Sequence, residues 1–409
     1  MYNCWDMNRR KLYNKLLDHL TKKEFAIITG ARQTGKSTLL QELLKTCKEQ
    51  AQPTIFINLE NKEVLAEMDD NPLNLLPYLP SQEKRNIVFV DEIQYLSDPS
   101  NFLKLLHDEY SDRIKIVATG SSAFYIDSKF KDSLAGRKRM FQLWTCDFEE
   151  FLLLQGKEEL WEELSRIKKR PEFKSLKLEL LRLEWENYML YGGYPAVIVE
   201  PTVSEKIEML KEIRDSFVKR DILESGVQNE MVFYQMFQLL AGQTGQLVNV
   251  NELSNTLKIR NETVQNYLEV MEKCFHFALL KPFSANLRKE LVKMPKGYLM
   301  DSGLRNCLLN NFQPINQRLD KGELWEQTFF RLLVDKYGVD EIRFWRTADG
   351  KEIDFILPNQ HPPLAVETKF DKEQLKINKY KTFIEAYPSF RFRVASIRPW
   401  SESFFRDFL

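Results

Sequence analysis

The chain has 409 residues, too many for one comfortable hydrophobic core, so two or three domains are expected. Its 59 basic and 59 acidic side chains cancel to a formal net charge of zero, which excludes recruitment of nucleic acid by a global field; any such contact has to be local. The five cysteines (Cys4, Cys47, Cys146, Cys274 and Cys307) contain no C-x-x-C pair, which argues against a zinc ribbon or a disulfide framework and fits a reducing compartment.

The first ten residues are polar and lack an apolar h-region, and no run of 18 apolar residues occurs. A cytoplasmic protein with no membrane partner is therefore expected. Residues 24–144 alternate short β-type runs (25–28, 54–58, 86–90, 114–118 and 139–144) with helical segments. That is the pattern of an α/β fold with a parallel five-stranded sheet. From about 148 to 225 the sequence turns helical and heavily charged, broken at Pro171 and at Gly192-Gly193-Tyr194-Pro195, which reads as a helical lid on the sheet. Apolar residues Leu253, Leu257, Val264, Tyr267, Leu268 and Met271 fall at helical spacing across a break at 258–261, and a short strand follows at 277–281. Helix, turn, helix, strand is the order of a winged helix. Beyond it lie a helix over 322–336 and β-type runs at 342–346, 352–357 and 363–370. The expected division is 1–147 (the parallel α/β core), 148–230 (lid), 231–310 (winged helix) and 311–409 (a second α/β domain).

Gly30-Ala31-Arg32-Gln33-Thr34-Gly35-Lys36-Ser37 matches G-x-x-x-x-G-K-[ST] at every fixed position, with a strand before it and a helix opening at Thr38. Glycines let backbone N–H groups curl around phosphates, and the helix N-terminus adds partial positive charge. Lys36 is expected at the β- and γ-phosphates, and the Ser37 hydroxyl in the shell of a Mg²⁺ bound with ATP. Downstream, the apolar run Ile87-Val88-Phe89-Val90 ends in Asp91-Glu92. Asp91 is expected to hold the metal, and Glu92 to polarise the attacking water. One further β-type run separates the two motifs, and the guanine-reading N-K-x-D motif is missing. The extra strand, with Glu92 beside Asp91, resembles the additional-strand branch of P-loop ATPases, and the missing guanine motif favours ATP. The run 114–118 ends in Thr119-Gly120-Ser121-Ser122, which makes Thr119 or Ser121 the candidate γ-phosphate sensor. Arg137 and Arg139 are candidate arginine fingers, acting in cis or across a subunit interface of an oligomer; a solvated basic turn is the alternative.

These motifs, followed in order by Tyr191-Gly192-Gly193-Tyr194-Pro195, Pro295-Lys296-Gly297-Tyr298, Asp301-Ser302-Gly303-Leu304, the 322–326 segment and Glu352-Ile353-Asp354, resemble one group of prokaryotic AAA+ ATPases. In that group the carboxy-terminal domain is DUF4143, and the ATPase domain is similar to archaeal and STAND-like ATPases. The resemblance implies an AAA+ core, a winged helix and a restriction-endonuclease-like carboxy-terminal domain. It also implies that Tyr194 and Pro195 lie on the lid side, in contact with adenine.

Asp354 and, thirteen positions on, Glu367-Thr368-Lys369 form D-x(12)-E-x-K on two β-type runs, with Glu326 available from the preceding helix. The pattern resembles the PD-(D/E)-x-K nucleases, in which carboxylates hold Mg²⁺ and a lysine orients water. The alternative is an edge-strand pair between Glu367 and Lys369. Lys281, Arg288, Lys289, Lys293 and Lys296 follow the second helix of the winged-helix pattern, where a wing would reach phosphates. Arg260, Asn261, Glu262, Thr263 and Gln265 open that helix and are able to touch base edges. DNA and a protein are thus the two macromolecular partners expected. The two functional expectations are an ATP-driven module directed to DNA, with or without nuclease activity, and a regulatory ATPase switch whose terminal domain only binds.

Overall fold

The computed structural model of the chain describes residues 10–120, 134–217, 227–284 and 294–409. They divide into two compact units: residues up to 145 together with 273–275, and residues 146–272 together with 276–409.

The first unit runs α1 (Leu12–His19), β1 (Phe25–Thr29), α2 (Lys36–Glu49), β2 (Thr54–Asn58), α3 (Lys62–Asp70), β3 (Asn86–Asp91), α4 (Pro99–Tyr110), β4 (Ile114–Gly120) and β5 (Lys138–Gln142). All five strands are parallel, in the order β2-β3-β4-β1-β5. Strand side chains alternate between faces, and the central strands β1, β3 and β4 are buried along their whole length, which is why their runs are mostly apolar, whereas the edge strand β5 (KRMFQ) is largely exposed. Val88 and Val90 of β3 share one core with Phe102, Leu103 and Leu106 of α4. Ile87 and Phe89, one position out of phase, share the other with Leu39, Leu40 and Leu43 of α2. Parallel strands bring their carboxyl ends to one edge of the sheet, so the loops after β1 and β3 emerge beside the end of β4.

The second unit continues with α5 (Phe148–Leu154), α6 (Glu158–Lys169), α7 (Leu178–Tyr191), α8 (Pro195–Val199), α9 (Val203–Ser216), α10 (Glu230–Gly242), α11 (Val250–Leu257) and α12 (Asn261–Lys273). The strands β6 (Phe277–Leu280) and β7 (Lys296–Leu299) pair antiparallel. After them come α13 (Ser302–Leu308), α14 (Lys321–Tyr337), β8 (Arg343–Arg346), β9 (Glu352–Leu357), β10 (Leu364–Asp371), α15 (Lys381–Ala386), β11 (Arg391–Arg398) and α16 (Glu402–Phe408). The sheet order is β11-β10-β9-β8, with β8/β9 and β9/β10 antiparallel and β10/β11 parallel.

Segments expected as separate domains share a core here. The fully buried Trp185 of α7 lies 6.2 Å from Trp325 of α14 and 5.3 Å from Phe404 of α16, and Trp325 and Phe404 are 5.2 Å apart. Aromatic rings this large bury enough surface to fuse helices that are distant in sequence. Nor is the β6–β7 hairpin a free wing. Gly245 N–H donates to Gly297 O (2.8 Å), Gly297 N–H returns to Gln246 O (3.0 Å), and Phe283 N–H donates to Phe344 O of β8 (2.5 Å).

The glycine motifs of this unit are explained by a helix crossing. Asp301 Oδ2 accepts the Gly193 N–H at 2.8 Å, and its Oδ1 caps α13 through Leu304 N–H at 2.9 Å. A Cβ on Gly303 would lie 2.1 Å from the Tyr191 carbonyl, and one on Gly193 would lie 2.2 Å from that of Cys146. The amino end of α13 therefore docks against the carboxyl end of α7 at a distance only glycine permits.

Candidate functional site

The loop after β1 turns sharply. Gln33 and Gly35 take left-handed backbone conformations (φ 61° and 89°), and Gly35 is the N-cap of α2 with no side chain bonded over the helix end. First-turn N–H groups of a helix have no partner inside it, so this end is aimed at an anion. A Cβ on Gly30 would sit 2.1 Å from the Leu143 carbonyl beyond β5, which fixes glycine there. Lys36 is buried, and its Nζ donates to the carbonyls of Gly30 (2.9 Å) and Ala31 (2.8 Å), folding across the same loop. Thr34 Oγ1 closes the loop onto Ala31 O at 2.9 Å.

Opposite Lys36 stands the end of β3. Ser37 Oγ lies 3.1 Å from Asp91 Oδ1, and the Thr119 hydroxyl at the end of β4 donates to that same Oδ1. The next residue, Glu92, is left-handed (φ 59°, ψ 52°), an unusual conformation for a residue with a side chain and one that concentrates at functional sites. Its N–H is held by Thr119 Oγ1 at 3.0 Å, and its Oε2 accepts from Gln94 Nε2. Ser37, Asp91, Glu92 and Thr119 are thus brought together by three neighbouring elements. Arg32 is half-buried in the loop, while Gln33 and Thr38 are exposed.

Two supports were not read from the sequence. Arg10 is buried and donates to Thr34 O (2.7 Å) and Trp144 O (2.6 Å), clamping the loop from behind; a lone arginine in a polar terminus carries no signal for that. The grip of Gln94 on Glu92 depends on the turn at residues 93–95 and likewise has no signal of its own in the sequence.

Other expected residues lie elsewhere. Arg139 is level with Ala26 in the register of β5 against β1, about 13 Å of strand before the phosphate loop. Arg137 precedes it and pairs with Asp108 of α4 (Nε to Oδ1, 2.5 Å). Both are at the sheet edge opposite Lys36, because the parallel strand β5 starts there, so neither is a finger for this chain's own loop. Ser121 lies outside the described residues, as do Arg288, Lys289 and Lys293. Tyr194 is buried in the second unit, its hydroxyl 3.4 Å from His276 Nδ1, and offers no exposed ring face for adenine. Pro195 is the first residue of α8. Lys296 is also buried, so it is not a wing side chain reaching for phosphate.

In the second unit, Asp354 of β9, Glu367 and Lys369 of β10 and Glu326 of α14 do gather. Asp354 Oδ2 accepts from Thr368 N (2.8 Å) and Thr368 Oγ1 (2.7 Å). Glu367 Oε1 accepts from Lys369 Nζ (2.5 Å) and the Tyr380 hydroxyl (2.8 Å), while its buried Oε2 has no partner. Burial and the neighbouring charge of Asp354 push Glu367 up to about 7; burial likewise pushes Glu326 up to about 7 against the pull of Lys296. Lys296 Nζ lies among three carboxylates: Glu352 Oε1 (2.6 Å), Glu326 Oε1 (3.3 Å) and Asp354 Oδ1 (3.7 Å). Among the described residues no three His, Cys, Asp or Glu side chains are grouped closely enough to hold a metal ion.

Three family models match the chain. One described as an AAA domain matches residues 22–152, and two domains of unknown function, DUF8612 and DUF4143, match 182–314 and 321–399. Residues 22–152 are an AAA domain. A DUF4143 domain follows it at the carboxyl end. The chain is 26% identical to an uncharacterized protein of Haemophilus influenzae over 378 residues, covering 89% of this chain and 87% of that one. It is 25% identical to an uncharacterized protein of Methanocaldococcus jannaschii over 388 residues, covering 92% and 82%. Among solved structures it is similar to a RuvB variant of Thermotoga maritima, with a TM-score of 0.33 and 14% identity over 66% of this chain and 89% of that one. No described helix is long and apolar enough to cross a membrane.

Proposed function

We propose that the AAA domain binds ATP with Mg²⁺ at residues 30–38 and hydrolyses it. The observation that carries this reading is the meeting of Ser37, Asp91, Glu92 and Thr119 beside an uncapped helix end and Lys36. Ser37 Oγ and Asp91 are hard oxygen donors 3.1 Å apart, a pair that fits Mg²⁺. Bound with the nucleotide, the metal would neutralise charge on the phosphate oxygens. The amides at the start of α2 and the Lys36 ammonium bind and orient the triphosphate. Glu92, its carboxylate held by Gln94, is placed as the general base for water.

The test is Mg·ATP affinity. Lys36→Ala removes at least one charge-assisted hydrogen bond worth about 1.5–3 kcal/mol, so affinity should fall by at least about tenfold to a hundredfold. Unchanged affinity would sink the proposal.

The nucleotide state is proposed to set the conformation of a DNA-directed second half, with α11 and α12 as the helices of a winged helix and the DUF4143 domain as a restriction-endonuclease-like fold. Arg260, Asn261, Glu262 and Gln265 are exposed at the start of α12 in support of this. A second reading, a terminal module that binds without cleaving, is favoured by one observation: a lysine ammonium already lies among Glu326, Glu352 and Asp354. Incubation of the protein and its Asp354→Ala variant with Mg²⁺ and DNA separates the two. Cutting lost in the variant supports a nuclease, and no cutting by either supports the binding module.

A further inference from the structure

The carboxylate cluster of the DUF4143 domain contains a residue from outside that domain. Lys296 opens β7, and its side chain is almost wholly buried, with 2% of its surface exposed. Its Nζ reaches Glu352 Oε1 at 2.6 Å, Glu326 Oε1 at 3.3 Å and Asp354 Oδ1 at 3.7 Å. We propose that Lys296 is the resident cation of this cluster, filling the place that a divalent ion shared by Glu326 and Asp354 would need.

Geometry gives the first argument. A Mg²⁺ or Mn²⁺ ion binds carboxylate oxygens at about 2.0–2.2 Å, and the ammonium already stands 3.3 Å from Glu326 Oε1 and 3.7 Å from Asp354 Oδ1, the two oxygens such an ion would bridge. Two cations so close in a buried site repel strongly, and only one can stay.

The lysine also has no exit. β7 is paired on one side with β6, and on the other Leu247 bridges to Lys296 itself. Gly297, next in the strand, is flanked so closely that a Cβ would lie 2.3 Å from the Phe277 ring and 2.8 Å from Val248. Tyr298 stacks on Phe330 with ring centroids 4.4 Å apart, and its hydroxyl donates to the same Glu326 Oε1 at 2.6 Å. Gly245 closes another side, since a Cβ there would come 2.8 Å from Glu326 Oε1.

Charge bookkeeping agrees. Glu352 is paired a second time through its Oε2 with Arg346 Nη1 at 2.7 Å, and Asp354 Oδ2 is taken by the N–H and hydroxyl of Thr368. Of Glu326, Glu352 and Asp354, the remaining oxygens Glu326 Oε1, Glu352 Oε1 and Asp354 Oδ1 are the ones Lys296 meets. The surrounding carboxylates hold its ammonium charged, above the ordinary lysine range despite burial. The cluster therefore works as a metal-free bolt fastening β7 to α14 and β9.

This inference deepens the second reading above, but its test needs neither DNA nor nucleotide, so the two fail separately. Mn²⁺ binding to the full chain is measured by electron paramagnetic resonance without nucleotide. The wild type is expected to bind no Mn²⁺ in a manner sensitive to Glu326→Gln. Lys296→Met is expected to lose thermal stability and to gain about one Mn²⁺ per chain, lost again on adding Glu326→Gln, with Mn²⁺ raising its melting temperature. Mn²⁺ binding by the wild type that Glu326→Gln abolishes would overturn the proposal, and that comparison stands even where Lys296→Met fails to fold. A folded Lys296→Met that takes up no Mn²⁺ would overturn it as well.

Discussion

The Thr119 hydroxyl donates to the Asp91 carboxylate on the neighbouring strand, and the same oxygen accepts the Glu92 N–H at 3.0 Å. One side chain at the end of β4 thus fixes the orientation of one acidic residue and the backbone of the next. Thr119→Val keeps the shape and removes both bonds. Leaving a buried carboxylate and a buried amide each short of a partner should cost about 1–3 kcal/mol of stability. If the residue serves hydrolysis, kcat for ATP should fall at least tenfold while Mg·ATP affinity changes by less than about threefold. Equal losses in affinity and kcat, or none in either, would remove Thr119 from the hydrolytic machinery.

Glu92 and Asp91 are adjacent but separable. Only Asp91 meets Ser37, whereas the left-handed turn at Glu92 carries its carboxylate away toward Gln94. Glu92→Gln should therefore keep nucleotide affinity close to wild type and slow hydrolysis by about 10²–10⁴, the usual worth of a positioned general base. Equilibrium binding of a fluorescent ATP analogue beside single-turnover hydrolysis distinguishes the two effects. A variant that hydrolyses at the wild-type rate would assign the base elsewhere.

The nucleotide loop was legible because its requirements are local: glycines at the turns, a lysine and serine at the helix start, and a buried strand ending in two acids all fall within short windows. The central strands were legible for the same reason, since burial on both faces of β1, β3 and β4 writes nearly continuous apolar runs. What stayed hidden depends on contacts across long sequence separations. Nothing near Lys296 announces that it faces Glu326, 30 residues on, and basic neighbours made it look like a wing residue. Tyr194 sits in a glycine-rich motif that is equally compatible with a ligand contact and with the close helix crossing at Asp301. Arg139 lies at the amino end of β5, level with Ala26 of β1, which sets aside only the in-cis option for it; a role across a subunit interface or as a basic turn is written in no local pattern.

The helix crossing yields a stability prediction. Gly303→Ala puts a methyl group 2.1 Å from the Tyr191 carbonyl, a backbone atom that cannot rotate away. Overpacking of this kind costs about 1–3 kcal/mol or more, so the second unit should melt earlier or the protein should become insoluble. Gly322, in the first turn of α14, has nothing within 4 Å of its added Cβ, and Gly322→Ala should be neutral or stabilising by up to about 1 kcal/mol. Calorimetric scans of the two variants beside wild type check the contrast. Matching melting profiles would show that α13 has room to shift.

Lys115 gives the AAA domain a pH-dependent stability. It lies in β4 with its side chain fully buried, and its Nζ meets the carbonyls of Lys22 (3.1 Å) and Glu24 and the Nδ1 of His19 (3.1 Å). Burial, reinforced by Arg85 and opposed by Glu24, brings its pKa down from 10.5 to about 7, and burial with the charge of Lys115 brings His19 down to about 4. Between about pH 7 and 10.5 the unfolded chain therefore holds a proton that the folded chain has released. Unfolding takes up that proton, so stability contributed at this position rises with pH through the window and is lost as pH falls toward 7. His19 acts with the same sign but between about pH 4 and 6.5, below the range to be scanned. In Lys115→Met the slope should vanish while the two freed carbonyls add a constant penalty. From pH 7 to pH 9, wild type should therefore gain on the order of 1–2 kcal/mol over the variant, seen as a widening gap in melting temperature of the AAA domain. Parallel profiles across that range would mean that Lys115 keeps its proton in the folded state, held there by the carbonyls and imidazole around it.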